Sequence, residues 1–279
     1  GRPTKSSRAL TMPDNTDRLP IANQPLSLVL VACNAAADIE SVVAAWNVQL
    51  DTLGRATEII VVDDGSTDET SALASKLAAQ NKRVRFIHHP TRLGFGDALK
   101  SGFAAAKHPL LAYTTCDRQY QPADLKLFLD QIDKVDLVTG YRQWLSVPGG
   151  LRTLGWIYRL AIRVLFGVPL DPLPSWLGDH GQRKRWLARW IFGVRVHDVE
   201  CAFRLFRRSV LARMPIQSHG PFAQVEILAK ANFLGCWMFE VPVSYQPPAG
   251  PLVHGSLDPK DSCLAEAKRL FSNPMFAPV

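Results

Sequence analysis

Paired cysteines and long apolar runs are the two features that this sequence most clearly lacks. Its 279 residues contain five cysteines, an odd number, and no two of them form a CxxC pair. That dispersion argues against a disulfide framework or a structural zinc site, and it fits a reducing compartment. No apolar run approaches the roughly 18–20 residues that span a bilayer, and the N-terminus has no signal-peptide core. We therefore expect a soluble or membrane-peripheral chain, which leaves open whether a membrane segment follows in a longer parent.

Positive charge is plentiful but unevenly distributed. The chain has a formal net charge of +7, and the region from Arg142 to Arg213 alone holds 13 Lys and Arg against four acids. A concentrated basic region favours an anionic surface or an anionic substrate as its partner, although a solvated basic face has the same composition. We expect no nucleic-acid partner, because the basic segment carries no recognisable reading motif.

Strand-like and helix-like patterns alternate from residue 26 onward. Repeated strand–helix–strand units of this length predict an α/β fold with a mostly parallel sheet, right-handed crossovers and flanking helices. Residues 1–25 are predicted to be a flexible tail, 26–246 one domain, and 247–279 a tail that follows a Pro-rich stretch. The predicted strands are 26–32, 58–63, 84–88, 110–114, 135–139 and 236–245, and the predicted helices are 38–50, 68–80, 96–107 and 122–132.

An apolar strand that ends in two carboxylates is the most informative motif. Residues 58–70 read EIIVVDDGSTDET, and the apolar run stops at Asp63 and Asp64. Ligands of open α/β sheets bind just beyond the carboxyl ends of the strands, so both carboxylates are expected to face the ligand crevice. Gly65 permits a tight turn, and residues 66–68 offer caps for the next helix. An acidic turn that only caps the following helix and binds no ligand would have the same sequence.

A second polar stretch follows the strand at 110–114. It reads CDRQYQP over residues 116–122, where Asp117 and Gln119 supply oxygen ligands two residues apart. Such oxygens suit a hard cation, Mg²⁺ or Mn²⁺, that is also bound by a diphosphate. One carboxylate is a thin ligand set, so this motif is weak by itself.

Six motifs in order carry a family resemblance over about residues 26–245. Together they resemble family 2 glycosyltransferases of the GT-A (Rossmann-like) fold, in the dolichol-phosphate mannosyltransferase-like branch of polyprenyl-phosphate sugar transferases. Any one motif could arise by chance, but six in family order and spacing are strong evidence. They are VVDDGSTD (61–68), RLGFGDALKSGF (92–103), CDRQYQP (116–122), VTGYRQ (138–143), DVECAFRLFRR (198–208) and VEILAKANFLGCWMFEVPVSY (225–245).

The resemblance implies an activity and its partners. It implies inverting transfer of a hexose from a UDP- or GDP-linked donor to a polyprenyl phosphate (dolichyl or undecaprenyl), with Mg²⁺ or Mn²⁺ as cofactor. Such an enzyme would be cytoplasmic and peripheral at the inner face of the membrane.

The same resemblance implies roles for individual residues. The metal would bind Asp117 and Gln119, and Asp117 would act in catalysis with Arg142 and Arg204, two arginines near the donor or acceptor phosphates. The nucleotide would be held by Ala32, Cys33, Asn34, Asp63 and Asp64, and by the loop that contains Arg92 and Gly94.

Two loops depart from the family pattern. Val31, Cys33 and Ala35 stand where the first loop commonly has Pro, Tyr and Glu, and Thr115 replaces the first Asp of the usual Asp-x-Asp-x-Gln. Losing a carboxylate should weaken the cation site unless another ligand or the diphosphate compensates. The alternative function is therefore a non-catalytic or altered-substrate member that binds nucleotide or lipid on the same fold.

The need for a general base depends on the acceptor. A polyprenyl phosphate is already ionised and can attack directly, whereas a sugar hydroxyl needs a base. Glu226 and Asp198 are the candidates for a hydroxyl acceptor. A surface or salt-bridged carboxylate is the alternative for Glu226, and a turn cap is the alternative for Asp198.

A basic amphipathic insertion is predicted at residues 151–193, before the last motifs. Arg152, Trp156, Arg159 and Arg163 share one helical face, and a second basic, aromatic run covers 182–192. This pattern is typical of helices that lie on anionic lipid, although packing onto the sheet or a dimer partner would also explain it.

Overall fold

The computed structural model describes residues 24–142, 196, 198–247, 269 and 272–277. The predicted basic insertion at 151–193 lies outside the described residues. So do the first 23 residues of the predicted N-terminal tail and most of the predicted C-terminal tail.

The described chain forms one seven-stranded sheet with the order β3-β2-β1-β4-β6-β5-β7. In this sheet β6 alone runs antiparallel to its neighbours β4 and β5, and the other pairs are parallel. The mostly parallel sheet predicted from the sequence is confirmed. The strands are β1 (Leu26–Ala32), β2 (Thr57–Asp64), β3 (Val84–His89), β4 (Leu110–Thr115), β5 (Leu137–Arg142), β6 (Arg204–Arg207) and β7 (Met238–Val243).

Helices connect the parallel strands and cover the sheet. The four predicted helices are present, with a short 3₁₀ turn at Pro122–Asp124 before the fourth. The helices are α1 (Ile39–Asp51), α2 (Thr70–Gln80), α3 (Phe95–Ala105), α4 (Leu125–Ile132), α5 (Arg208–Ala212) and α6 (Ala223–Phe233).

The central strands are buried along their whole length because helices cover both faces of the sheet. Every residue of β1 is buried, and its sequence LSLVLVA is a near-continuous apolar run, as expected for a central parallel strand. Aromatic packing joins the layers: Phe203 stacks on Phe128 at 4.3 Å between ring centroids and meets the edge of Trp46 at 5.6 Å. Truncating Trp46 to Ala would remove about 3–5 kcal/mol of stability.

The strand β6 was not among the predicted strands. Its four residues, RLFR, are too few and too basic to give a strand signal from the sequence. In the sheet, Arg204, Leu205 and Phe206 are all buried between β4 and β5.

The topology gathers the polar motifs along one side of the sheet. We call this side the carboxyl edge, where the parallel strands β1, β2, β4 and β5 end. Ala32 pairs in register with Asp63, and Val31 pairs with Thr115, so the ends of three strands are level. Because β6 runs the other way, it starts at this edge with Arg204. The fold therefore places the predicted motifs side by side.

Candidate active site

Asn34 ties the loop after β1 to the loop after β2. Its backbone has φ of 50°, the left-handed region that Asn tolerates better than most residues. Its backbone N–H donates to Oγ of Ser66 at 2.8 Å, and its side-chain oxygen accepts the backbone N–H of Thr67 at 2.9 Å. The two loops therefore form one rigid unit at the carboxyl edge.

Asp63 supports this unit from inside the protein. Its fully buried carboxylate accepts the backbone N–H of Ser66 at 3.1 Å and also the Ser66 hydroxyl. Nδ1 of His88 lies 3.0 Å from the other carboxylate oxygen. Asp63 thus holds the Ser66 turn that positions Asn34.

Asp64 holds the segment 92–96 in a similar way. Its carboxylate accepts the backbone N–H groups of Leu93 and Gly94, both at 2.9 Å, and lies 3.0 Å from Nδ1 of His89. Gly65 next to it has φ of 64°, and a Cβ there would overlap the backbone of residues 91–92. The two buried carboxylates therefore hold two loops at the carboxyl edge, and nucleotide binding by these loops and by Asp63 and Asp64 stays a prediction.

Ala32, Cys33 and Arg92 complete the predicted nucleotide side. Ala32 and Cys33 are buried, while Arg92 is exposed on its segment. Burial raises the pKa of the Cys33 thiol although the nearby Arg92 opposes the shift, so the thiol is neutral near pH 7. Contacts from Ala32, Cys33 and Arg92 to a nucleotide stay a prediction.

Asp117 is held by the two residues that flank it in the motif. The Thr115 hydroxyl donates to Oδ1 of Asp117 at 2.6 Å, and Nε2 of Gln119 donates to Oδ2 at 2.5 Å. Turning the Gln119 amide would present its carbonyl oxygen in place of its nitrogen.

The oxygen set around Asp117 fits a cation only with help from a ligand. In the ranges that the structure describes, no group of three His, Cys, Asp or Glu side chains could hold a metal ion. Of the described residues, Asp117 would supply one carboxylate and Gln119, with its amide turned, one carbonyl oxygen. Mg²⁺ is commonly bound through one or two carboxylates plus phosphate oxygens, so a diphosphate would complete the set.

Arg142 ends β5 in a two-point ion pair with Asp198. Nε of Arg142 donates to Oδ2 at 2.6 Å and Nη2 to Oδ1 at 3.0 Å, with only 11% and 12% of the two side chains exposed. Burial opposes the charge on Arg142, but its hydrogen bonds to Asp198 outweigh that cost and raise the pKa of Arg142. The guanidinium carbon also lies 5.1 Å from the ring centre of Tyr245.

Arg204 lies deeper than the sequence suggested. Its side chain is 0% exposed, and it donates to the Val199 and Gln224 carbonyls at 2.7 and 2.6 Å and to the Thr139 hydroxyl at 3.2 Å. This geometry fixes the turn at 199–202 beside the carboxyl edge. A direct phosphate contact from Arg204 stays a prediction.

The two candidate bases are both occupied by neighbours. Asp198 accepts the backbone N–H of Glu200 at 3.1 Å besides pairing with Arg142, which makes it a turn cap. Glu226 is 0% exposed and pairs with Lys230 at 2.7 Å, which makes it a buried salt-bridged carboxylate. The structure thus places both in the arrangements given as alternatives to a base.

Tyr120 and Tyr245 belong to the site although the sequence did not single them out. Their rings lie 5.7 Å apart, and the Gln246 N–H donates to the Gln119 carbonyl at 2.9 Å, so the segment after β7 crosses the Asp117 loop. Burial raises the pKa of Tyr245 although Arg142 opposes the shift, so its phenol stays a hydrogen-bond donor near neutral pH. In the sequence, the aromatic character of Tyr120 and Tyr245 was the feature that could have indicated a place in the site.

A mostly parallel sheet with one antiparallel strand and these loops at its carboxyl edge defines a GT-A fold. A solved structure of glucosyl-3-phosphoglycerate synthase from Mycobacterium tuberculosis superposes with a TM-score of 0.59 at 19% identity, covering 98% of this chain and 88% of that one. That structure contains Mn²⁺, uridine-diphosphate-glucose and phosphoglyceric acid. At this identity the likeness shows the fold alone.

The family follows from the sequence comparisons. The family model of glycosyl transferase family 2 matches residues 27–214, and the chain belongs to that family. The chain is 30% identical over 195 residues to a polyprenol monophosphomannose synthase of Mycolicibacterium smegmatis, covering 67% of this chain and 66% of that relative. It is 29% identical over 254 residues to a dolichyl-phosphate hexose transferase of Haloferax volcanii, covering 88% and 96%. The chain thus spans about two thirds of the first relative's length, and the family predicted from the motifs is confirmed.

Proposed function

We propose that this protein transfers a hexose from a nucleotide-sugar to a polyprenyl phosphate with inversion at the anomeric carbon. The observation that carries the proposal is the convergence of the Asn34 loop, Asp117 and Arg142 at one edge of a family 2 fold. The two relatives named above are a polyprenol monophosphomannose synthase and a dolichyl-phosphate hexose transferase, and these names support a polyprenyl phosphate as the acceptor here.

The donor would lie across the ends of β1, β2 and β4. Backbone groups of residues 32–34 and the segment 92–96 would hold the nucleotide, with Asp63 and Asp64 fixing both loops from below. Asp117 and Gln119 would hold Mg²⁺ or Mn²⁺, which neutralises charge on a departing nucleoside diphosphate when it is bound.

The acceptor phosphate would supply the nucleophile without a base. One of its oxygens forms a bond to the anomeric carbon while the bond to the nucleoside diphosphate breaks, and that diphosphate leaves with the electron pair. An ionised phosphate needs no proton removed, which agrees with the internal pairing of Asp198 and Glu226. Arg142, paired on one side with Asp198, would orient the acceptor phosphate through its remaining N–H groups.

Access to such an acceptor requires contact with a membrane. In the described ranges no helix is long and apolar enough to cross a bilayer. The basic, Trp-bearing segment 151–168 supports peripheral binding to anionic lipid at the cytoplasmic face. Co-sedimentation with anionic vesicles at low salt tests this, and absence of binding there would exclude it.

The transfer itself is tested with radiolabelled UDP- and GDP-hexoses and a short polyprenyl phosphate. We expect label in the lipid phase that requires Mn²⁺ or Mg²⁺ and is lost in Asp117→Asn. Calorimetry with UDP and GDP, with and without Mn²⁺, identifies whether the donor nucleotide carries uracil or guanine.

A second candidate function is nucleotide or lipid binding without turnover. The observation that favours it is Thr115, whose hydroxyl bonds to Asp117 at the position where the family commonly has a carboxylate. Tight nucleotide binding with no product on any polyprenyl or sugar acceptor would support this function and exclude transfer.

A further inference from the structure

Gln217 is the meeting point of three separate parts of the chain. Its side-chain oxygen accepts Nζ of Lys230 at 2.9 Å and the backbone N–H of Met275 at 2.8 Å. Its side-chain nitrogen donates to the Asn273 carbonyl at 3.1 Å. Its backbone carbonyl accepts Nη2 of Arg269 at 2.7 Å. The residue thus joins α6 to the described C-terminal residues 269 and 272–277.

A buried ion pair fixes the backbone on either side of that junction. Glu226 accepts the backbone N–H of Gln217 at 2.7 Å and that of Ser218 at 2.8 Å. The Lys230 ammonium lies 2.7 Å from Glu226 and also donates to the Pro215 carbonyl at 2.5 Å. Glu226 and Lys230 are 0% and 1% exposed. The segment 215–218 therefore packs on a buried ion pair whose charged groups have hydrogen-bond partners.

The next residue carries this support to the nucleotide side of the site. The His219 carbonyl accepts the backbone N–H of Gly96 at 2.6 Å and that of Asp97 at 3.3 Å, so it occupies the start of α3. The His219 ring is 2.7 Å from Asp97. A Cβ at Gly94 would come within 2.5 Å of the same carbonyl oxygen, so the backbones at Gly94 and His219 are in close contact.

The segment 92–96 is therefore clamped from both sides. Asp64 holds Leu93 and Gly94 from the sheet, and His219 holds Gly96 from the opposite side. The sheet side is part of the central core. The His219 side lies two residues along the chain from Gln217, which contacts the C-terminal residues Asn273 and Met275.

We propose that Gln217 is a positioning residue that transmits the docking of residues 272–277 to the segment 92–96 and so sets the affinity for the donor nucleotide. This inference rests on the proposed function where it concerns the nucleotide. The mechanical link between the two segments stands apart from it, because it is made of hydrogen bonds within the chain.

Two variants and a matched control test the link by amide hydrogen exchange. Gln217→Ala removes the side-chain contacts to Lys230, Asn273 and Met275 but keeps the backbone ones. Met275→Pro removes the N–H that Gln217 accepts, together with an exposed side chain and backbone freedom at residues 274–275. Gln80→Ala makes the same chemical change at the exposed end of α2.

We expect the amides of Gly96 and Asp97 to exchange roughly tenfold faster in Gln217→Ala and less so in Met275→Pro, with strands β1 and β4 unchanged. Gln217→Glu keeps an oxygen for Lys230 and Met275 but loses the N–H that binds the Asn273 carbonyl, so it should restore only part of the protection. The donor KM should rise while kcat changes little, and Gln80→Ala should match the wild type in every measurement.

The proposal would be overturned if Gln217→Ala showed faster amide exchange at 272–277 but wild-type exchange at Gly96 and Asp97. Release of residues 272–277 would then leave the segment 92–96 unaffected. Should Gln217→Ala fail to fold, Met275→Pro decides by the same readout. If the wild type binds neither UDP nor GDP, the proposed function fails, yet the exchange result still judges the link.

Discussion

The Thr115 hydroxyl donates a 2.6 Å hydrogen bond to Oδ1 of Asp117, the one carboxylate that the described residues bring to the proposed cation site. The bond occupies one carboxylate oxygen and adds no negative charge. It therefore holds Asp117 in place while leaving the site with half the charge of a two-carboxylate motif. We therefore expect the Thr115–Asp117 arrangement to determine how tightly the proposed site binds a divalent cation.

Thr115→Asp should bind Mn²⁺ more tightly in the presence of UDP or GDP. A second carboxylate adds a charged oxygen ligand, so we expect at least a roughly tenfold lower Kd, about 1.4 kcal/mol. Without the cation, the two carboxylates repel and the melting temperature should fall. Calorimetry and thermal unfolding with and without Mn²⁺ measure both effects. Ser75→Asp on the exposed face of α2 is the control, and equal Mn²⁺ affinity in all three proteins would contradict the expectation.

Replacing Arg142 with Lys should destabilise the protein even though the charge is kept. A lysine cannot reproduce the two-point contact with Asp198, and the carboxylate is almost buried, so a loss of about 1–3 kcal/mol is expected in urea unfolding.

Arg118→Lys provides the matched comparison for that change. Arg118 pairs with Asp38 at 2.8 Å, but 62% of its side chain is exposed, so the expected loss is about 0–1 kcal/mol. Equal losses at the two positions would show that burial of the Arg142 pair is unimportant.

Acid should weaken the wild type more than a Glu58→Gln variant. Burial disfavours the charge on Glu58, but hydrogen bonds from Ser27, the Lys107 N–H and Arg85 outweigh it and lower its pKa below 4.5. A lowered pKa means that the ionised form stabilises the fold above pH 4.5, and this stability is lost as the pH falls through the folded-state value. Urea midpoints between pH 7 and pH 3 should therefore converge for the two proteins. A constant gap across that range would contradict the linkage.

Gly65→Ala should be much more damaging than Gly54→Ala. Both glycines have positive φ, 64° and 60°, so each alanine costs roughly 1–2 kcal/mol of backbone strain. At Gly65 the new Cβ also overlaps the backbone of residues 91–92, whereas at Gly54 it meets nothing within 4 Å. We expect a further loss of about 1–3 kcal/mol at Gly65, seen in urea unfolding, and weaker nucleotide binding. Similar unfolding midpoints would show that the segment moves aside freely.

The central sheet was predictable because its signal is local. In β1 and β2 the apolar runs are long enough to identify a buried strand without knowing the partner. The strand β6 gave no such signal, because its arginines find their partners only in distant segments: Arg204 with Gln224, and Arg207 with Ile132.

The site was predictable as a place and less so as a set of contacts. Asp64 lies in a recognisable motif, but its bonds to Leu93 and Gly94 join residues about 30 positions apart and cannot be derived from spacing. The same holds for Glu226 and Lys230, since a buried ion pair on a helix has the same sequence spacing as a surface pair.

The ion pair between Arg142 and Asp198 also has a consequence for the sheet. The strand β5 ends at Arg142, and Asp198 precedes the start of β6 at Arg204, so the pair joins two segments that are far apart in the sequence at one point. The pair therefore ties the end of β5 to the segment that leads into β6, and the alignment of these two neighbouring strands is fixed at the carboxyl edge as well as by their backbone pairing.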